Sequence, residues 1–405
     1  MRRLLLVDDE RALLDGLTKV LRPFRHEWEV ETALGGRAAL EALSSGREFM
    51  AVVSDARMPD VDGEAVLRAA QEHQPMAVRL ILSGQVDAKV GHRLAAASHQ
   101  FLTKPSTAGA IMAAVEDCCR LTHSLKSEAA RALVASLGQL PVAPHVYHRV
   151  TALIAEPTAT SDEVAKLIAD DLVLTASVLR FVNSAFFGLP RSIDDLREAI
   201  VLLGFERLRE LVLLVELFPV ADDLGLLEGI RRRGLFRAQL ARLITQGNAV
   251  THLASEAALL TEVGVYALAW KRPSIYRDLW RRGQAPGGDL EALEREAFGA
   301  TNSEVAAALL GLWRIPTTVV NAVRWQDVCP AHGAALDART ATALAVMLTR
   351  EALSGAPPGD ADSLATQLGV ASLLPSLRFF AARGSTDEAA GPAPAQPGRA
   401  PLQAR

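Results

Sequence analysis

Five polar side chains stand at or just after the ends of short apolar runs near the N-terminus: Asp8, Asp9, Asp55, Ser83 and Lys104. Carboxylates that converge on one crevice repel one another unless a cation lies among them, and an all-oxygen acidic cluster suits Mg²⁺. Asp55 can then act as a nucleophile toward a phosphoryl group, with Mg²⁺, Lys104 and the Ser83 hydroxyl acting on the phosphoryl oxygens. We therefore predict a phosphoryl-accepting site on Asp55.

The elements that must position these side chains follow from the same pattern. The apolar runs "LLLV", "AVVSD", "RLILS" and "QFLTK" alternate with helical stretches, and "EWEVET" (27 to 32) alternates like a fifth strand. Such βα repetition predicts an α/β unit, with a parallel sheet that carries helices on both faces. Sites of such sheets lie at the carboxyl ends of the strands.

Residues 1 to 122 resemble a response-regulator receiver domain. The motifs that carry the resemblance are "VDDE", "DARMPDVDG", "LSG" and "KP", in the expected order and spacing. The resemblance implies a doubly wound, five-stranded parallel sheet in flavodoxin-like order and phosphorylation of Asp55 by a sensor histidine kinase. It also implies Mg²⁺ held by Asp9, Asp55 and the backbone carbonyl of Arg57, with Asp8 acting mainly through water.

The same resemblance implies a switch around the phosphorylated aspartate. Ser83 and Phe101 would form the switch pair, and the Lys104–Pro105 bond would be cis, a geometry for which proline keeps the cost low. A degenerate receiver that binds no phosphate is the alternative at this stage.

After Arg120 the strand alternation disappears and helices punctuated by Pro and Gly follow. Residues 123 to 139 form a polar helical connector, and the stretch Ile111 to Gln139 contains no proline, which predicts one long helix or two helices with a short break. We expect a helical domain at 140 to 330, further helices packed on it at 331 to 383, and a disordered tail at 384 to 405.

Residues 128 to 330 resemble the HDOD domain, an all-α relative of the HD phosphohydrolases. The resemblance rests on "LPVAP", "DDLVLTASVLRFVNSAFFG", "AIVLLGFERLRELVL" and "AFGATNSEVAAALLGLWRIP". Leu172 departs from the proline that is common after the aspartate of the second motif. This resemblance implies an output module that binds or assembles.

The stretch "ALLTEVG" decides between binding and catalysis. Catalytic relatives carry a His-Asp pair where this chain has Thr261-Glu262, and further aligned positions hold Asn302 and Arg324-Trp325. Thr261 is a poor metal ligand, and one carboxylate beside an arginine favours a salt bridge. We predict that Thr261 and Glu262 are ordinary helix residues in a non-catalytic domain. The alternatives are a metal-dependent phosphohydrolase of cyclic di-GMP or nucleotides and a DNA-reading transcription factor.

Other candidate residues favour ordinary structural roles. His145 and His148 are predicted as surface or interface histidines, because no third ligand lies near them in sequence. The basic groups at 231 to 233 and 271 to 282 are predicted on solvated helix faces rather than in a nucleotide or nucleic-acid site. Phe186 and Phe187 are predicted in the core.

Composition narrows the remaining classes. The chain has 405 residues, a formal net charge of -4 and three cysteines without Cys-x-x-Cys spacing. This length suggests more than one domain, and the cysteine set indicates a reducing compartment. The charge gives no global attraction to nucleic acid, and no apolar run is long enough for a membrane span. We predict a cytoplasmic protein whose partners are a histidine kinase, an unknown downstream protein or a second copy of itself.

Overall fold

The computed structural model describes residues 1–83, 97–104, 106–137, 149–150, 153–154, 156, 158–183, 191–213, 224–283, 285, 288–327, 334–354, 360–379 and 381. Several residues singled out in the sequence lie outside these ranges: Pro105, His145, His148, Phe186, Phe187 and the tail from 384. The side chains of Phe101 and Arg231 are also outside the described part. A parallel sheet with helices occupies the N-terminal part, and the remaining described residues are helical.

The strands are β1 Arg2–Asp8, β2 Trp28–Leu34, β3 Ala51–Asp55, β4 Val78–Ser83 and β5 Gln100–Thr103. They form one five-stranded sheet in the order β2-β1-β3-β4-β5, and every pairing is parallel. The predicted doubly wound sheet in flavodoxin-like order is confirmed. Strand β3 is buried along its whole length because helices cover both faces, which explains its continuous apolar run.

Alternation along β1 divides the interior into two layers. Leu4 and Leu6 belong to one apolar cluster, whereas Leu5 and Val7 belong to the cluster on the other face. The helices that cover the sheet are α1 Arg11–Val20, α2 Gly36–Ser44, α3 Gly63–His73 and α4 Ala108–His123. The layer that contains Leu4 continues through α4 into the helical part of the chain.

The helical part begins with α5 Glu128–Ser136, α6 Ser161–Ile168, α7 Leu172–Val182, α8 Leu196–Leu213 and α9 Leu224–Ile244. It continues with α10 Thr251–Leu260, α11 Val263–Lys271, α12 Pro273–Gly283, α13 Leu290–Phe298 and α14 Asn302–Leu312. The last helices are α15 Thr317–Arg324, α16 Ala338–Ser354 and α17 Asp360–Gln367. Among the described residues, no helix combines the length and apolar character that crossing a bilayer requires.

Local capping accounts for several helix boundaries. Thr160 and Glu163 form a capping box at the start of α6, and Thr301 with Glu304 forms a second one before α14. Gly204 has a positive φ of 70°, so α8 contains a kink that only glycine adopts readily.

The stretch that contains "ALLTEVG" forms two helices rather than one. Helix α10 ends at Leu260 and α11 begins at Val263, with Thr261 and Glu262 in the turn between them. Gly264 then lies against α14, where an added Cβ would approach the carbonyl oxygen of Asn302 to 1.9 Å. Close packing of α11 on α14 requires glycine at this position.

The connector consists of two helices with a short break, which is the second of the two predicted forms. Ser124 ends α4, and the Ser127 side chain accepts a hydrogen bond from Ala130 N at the start of α5. Leu121 of α4 packs against Gly311 of α14. Within the connector, Ser127 lies against Gly299, so the described part of the connector also packs on the helical domain.

Candidate phosphoacceptor site and a buried arginine cluster

Asp8, Asp55 and Lys104 meet at the carboxyl edge of the sheet. The Lys104 ammonium Nζ lies 2.7 Å from Asp8 Oδ2 and 2.6 Å from Asp55 Oδ1. Parallel pairing of β1 with β3 matches Val7 with Ser54, which brings the two following aspartates side by side. Lys104 reaches them because it follows β5, at the same edge of the sheet.

Backbone groups orient the two carboxylates. Glu10 N donates to Asp8 Oδ1 at 2.9 Å, and Arg57 N donates to Asp55 Oδ2 at 3.2 Å. Gly63 allows the loop after β3 to return to this site, because an added Cβ would lie 2.1 Å from the Asp55 carbonyl oxygen. The last residue of the "DARMPDVDG" motif is therefore glycine because no side chain fits at this position.

The charges of the site depend on one another. Burial raises the pKa of Asp55, and the hydrogen bond and charge of Lys104 offset only part of this effect. Burial alone would lower the pKa of Lys104, but hydrogen bonds to Asp55 and Asp8 outweigh it and raise that pKa. Lys104 therefore remains a cation, placed between two carboxylates.

The remaining predicted residues lie around this centre with different exposure. Asp9 and Arg57 are exposed beside it, and Ser83 is buried at the end of β4. The Ser83 carbonyl oxygen accepts from Lys104 N at 2.6 Å, which ties the end of β4 to the end of β5. Phe101 pairs with Ile81 through its place in the sheet.

The donor chemistry of this edge fits Mg²⁺. The carboxylates of Asp8 and Asp55 contact the ammonium group of Lys104, and the exposed carboxylate of Asp9 follows Asp8 in the chain, so the oxygen donors at this edge are of the kind that Mg²⁺ takes. Among the described side chains, no three of the types His, Cys, Asp and Glu are grouped closely enough to share one metal ion. In this structure the ammonium of Lys104 bridges Asp8 and Asp55.

The Thr261-Glu262 pair lies in the interior, so the prediction of an ordinary helix position is wrong. Both residues are fully buried in the turn between α10 and α11. Arg233 binds the Glu262 carboxylate through two hydrogen bonds, Nε to Oε1 at 2.8 Å and Nη2 to Oε2 at 2.6 Å. Arg237 Nη1 lies 2.5 Å from Glu262 Oε1 and donates to Thr261 Oγ1 at 3.0 Å.

These three charged residues, Arg233, Arg237 and Glu262, form what we call the arginine cluster. The ring centroid of Trp280 lies 4.1 Å from the guanidinium carbon of Arg233. Burial alone would raise the pKa of Glu262, but the charges of both arginines lower it. Glu262 is therefore an ionised, buried carboxylate whose partners come from α9.

A second buried carboxyl group holds Asn302, the other residue aligned with a ligand position. Glu294 Oε2 accepts from Asn302 N at 2.7 Å and from Asn302 Nδ2 at 2.8 Å, and Tyr276 donates to Glu294 Oε1. Burial raises the pKa of Glu294 to about 7. Trp325 is exposed and lies under Arg339, away from these contacts.

The basic segments agree only partly with the sequence prediction. Arg232 is exposed as predicted, but Arg233 is buried, so a solvated face is the wrong environment for that arginine. The basic residues of the segment 271 to 282 are exposed, as predicted: Lys271, Arg272, Arg277, Arg281 and Arg282. Arg233 and Arg237 are four residues apart and therefore lie on one face of a helix. This spacing is the sequence pattern that could have indicated a shared partner for the two arginines.

Comparisons with known proteins agree with both halves of this description. The model of the response regulator receiver domain matches residues 4–116, and the model of the HDOD domain matches residues 140–329. A solved structure of the MmoQ response regulator from Methylococcus capsulatus is similar, with 26% identity and a TM-score of 0.49. The similarity covers 62% of this chain and 98% of that one.

Curated relatives match shorter parts. The chain is 24% identical to an uncharacterized protein of Treponema pallidum over 48% of its own length. It is 30% identical to the hydrogenase transcriptional regulatory protein HoxA of Bradyrhizobium diazoefficiens over 29% of its length. These matches span only 39% and 24% of the two relatives. With both domain models matched in sequence, the chain belongs to the response regulators of two-component systems, with a receiver domain followed by an HDOD domain.

Proposed function

We propose that the chain is a phosphorylation-controlled signalling protein. Its receiver accepts a phosphoryl group on Asp55 from a sensor histidine kinase, and its HDOD domain acts by binding a downstream protein or a second copy. The observation that carries the proposal is the contact of Lys104 with both Asp8 and Asp55 at the carboxyl edge of the sheet. We also propose domain limits near residues 122, 140 and 330, and action in the cytoplasm.

The chemistry assigned to the receiver is a transfer between two protein side chains. A carboxylate oxygen of Asp55 attacks the phosphorus of a phosphohistidine, the new P–O bond forms, and the P–N bond to the kinase breaks. Mg²⁺, when bound, would neutralise charge on the phosphoryl oxygens, held by Asp9, Asp55 and the Arg57 carbonyl. Lys104 is close enough to contribute a second positive charge to those oxygens.

The arginine cluster supports a binding role for the HDOD domain. Two guanidinium groups already pair with the Glu262 carboxylate, so a divalent cation would have to displace them to bind it. The competing proposal is a metal-dependent HD-type phosphohydrolase of cyclic di-GMP or nucleotides.

The receiver proposal is tested with a small-molecule phosphodonor and Mg²⁺. We expect the parent chain to take up one phosphoryl group and Asp55→Asn to take up none, because the amide nitrogen and oxygen lack the nucleophilic charge. Intact mass, measured over time, gives the result. Asp60→Asn, an exposed change in the same loop, is the matched control and should behave like the parent. Uptake by Asp55→Asn at the parent rate would rule out Asp55 as the acceptor.

The binding proposal predicts that the full chain hydrolyses neither cyclic di-GMP nor nucleotides, with or without added iron, manganese or zinc. Metal analysis of protein purified without chelator should give substoichiometric transition metal, since the family's ligand positions hold Thr261, Glu262 and Asn302. Turnover that a chelator abolishes, together with stoichiometric metal, would establish the phosphohydrolase instead.

A further inference from the structure

A polar cluster joins the receiver to the helical domain at the amino ends of β4 and β5. We call it the domain lock, and it consists of Arg79, Ser98, His99, Ala135 and Arg180. Arg180 Nη2 donates to the Ser98 carbonyl oxygen at 2.6 Å, and His99 Nε2 lies 3.2 Å from the Ala135 carbonyl oxygen. Two different helices, α7 and α5, are thus attached to the residues that immediately precede β5.

Both ring nitrogens of His99 have polar neighbours: the backbone nitrogen of Arg79 at Nδ1, and the Ala135 carbonyl oxygen together with Arg79 Nη2, the latter at 3.3 Å, at Nε2. Arg79 N donates to His99 Nδ1 at 2.9 Å, so the proton of the neutral ring is on Nε2 and is donated to Ala135. Burial, and then the charges of Arg79 and Arg180, lower the pKa of His99 well below its usual value. His99 therefore links the backbone of β4 to the backbone of α5 as a neutral bridge.

The two strands that end in the domain lock also end in the phosphoacceptor site. Strand β4 contains Arg79 near its start and ends at Ser83, and β5 lies between His99 and Lys104. The strands are paired from Leu80 and Gln100 to Ser83 and Thr103. Strands β4 and β5 therefore connect the phosphoacceptor site physically with the domain lock.

The helical domain makes further contacts around the domain lock. The guanidinium carbon of Arg180 lies 5.3 Å from the ring centroid of Trp313, next to α14. Gln71 of α3 donates to the Ser136 carbonyl oxygen at 2.7 Å, a second receiver contact with the end of α5. Side chains of three different segments therefore meet at one seam between the domains.

We propose that the domain lock holds α5 and α7 against the receiver in the unphosphorylated chain and that phosphorylation at Asp55 loosens it through β4 and β5. We call the attachment of α5 and α7 to the receiver the holding contact, and it is inferred from the contact distances alone. Its control by phosphorylation rests on the proposed function of the receiver.

The holding contact is tested by hydrogen exchange of the unphosphorylated full chain. In Arg180→Gln, amides of residues 98–100 and 128–136 should exchange about tenfold faster, the effect of losing one ordinary hydrogen bond. Arg197→Gln is the matched control, because Arg197 forms an exposed ion pair with Asp162 and touches neither segment through that pair. Protection in Arg180→Gln equal to the parent overturns the proposal.

A second variant covers the case in which Arg180→Gln does not fold. In His99→Asn the shorter side chain keeps an acceptor near Arg79 N but does not reach the Ala135 carbonyl oxygen. We expect faster exchange at 128–136 with unchanged exchange in β1 and β3. Unchanged protection of 128–136 in this variant also overturns the proposal.

Phosphorylation provides the last comparison. With a phosphodonor and Mg²⁺, the parent should show faster exchange at 128–136, and Arg180→Gln, already loosened, should show little further change. If Asp55 takes up a phosphoryl group and protection in the parent stays the same, the control step is wrong while the proposed function stands. If Asp55 takes up none, the proposed function fails and the control step fails with it, whereas the unphosphorylated comparison still decides the holding contact.

Discussion

Replacing Glu262 by Gln should destabilise the helical domain by about 3 to 5 kcal/mol, because both arginines of the cluster would remain buried without a counter-charge. Urea unfolding of the full chain measures the loss. Tryptophan fluorescence can follow the transition, and Trp280 beside Arg233 contributes to it. Glu296→Gln, an exposed change on α13, is the matched control and should stay within about 0.5 kcal/mol of the parent.

A further replacement separates the cost of an unpaired charge from the value of the ion pairs themselves. If Arg233 and Arg237 are changed to Met and Glu262 to Leu together, most of the lost stability should return, because apolar side chains of similar size need no counter-charge. An unfolding midpoint of Glu262→Gln equal to that of the parent would mean that the two arginines find other partners or water.

Gly264→Ala should cost about 3 kcal/mol or more, because the new methyl group has no space between α11 and α14. Its Cβ would lie 1.9 Å from the Asn302 carbonyl oxygen and 2.9 Å from Ala306 N, and both are backbone atoms that move only with the helix. The same urea titration, with proteolysis of the folded chain as a second measure, detects the loss.

Gly229→Ala is the matched control for this substitution. Gly229 lies within α9, and an added Cβ would meet nothing within 4 Å. Alanine there should raise the free energy of unfolding by about 0.5 to 1 kcal/mol, because it has the higher helix propensity. Equal effects of both substitutions would show that α11 and α14 can separate at little cost.

The local sequence pattern predicts the strands of the receiver, and each predicted strand boundary lies within two residues of the observed one. Strand β3 starts and ends as predicted at Ala51 and Asp55, and the polar pair Ser54-Asp55 marks the end of its apolar run. The convergence of Asp8, Asp55 and Lys104 followed from the rule that parallel strands present their carboxyl ends at one edge. The roles of these residues in phosphoryl transfer remain predictions.

The buried contacts of the HDOD domain could not be predicted from local sequence pattern. Glu262 and Arg233 are 29 residues apart in sequence, and their pairing depends on how α9 crosses α11, which no local pattern encodes. Arginine is usually exposed, so a sequence-based assignment puts Arg233 in water. The break at Thr261 has no glycine or proline to mark it, because tertiary packing rather than propensity ends α10 there.

The packing of α4 and the connector on the helical domain limits how the receiver can be exchanged for that of another protein. Ser127 lies against Gly299, whose φ is +72°, and Leu121 fills the space next to Gly311. Side chains on the receiver side therefore pack against glycines on the helical side. A receiver grafted from another chain by splicing after α4 would bring a foreign side chain to the place of Leu121. Helices α4 and α5 must therefore be inherited together with the helices on which they pack, and a grafted receiver that ends before Ala108 must also match the contacts of Gln71, Ser98 and His99 with α5 and α7.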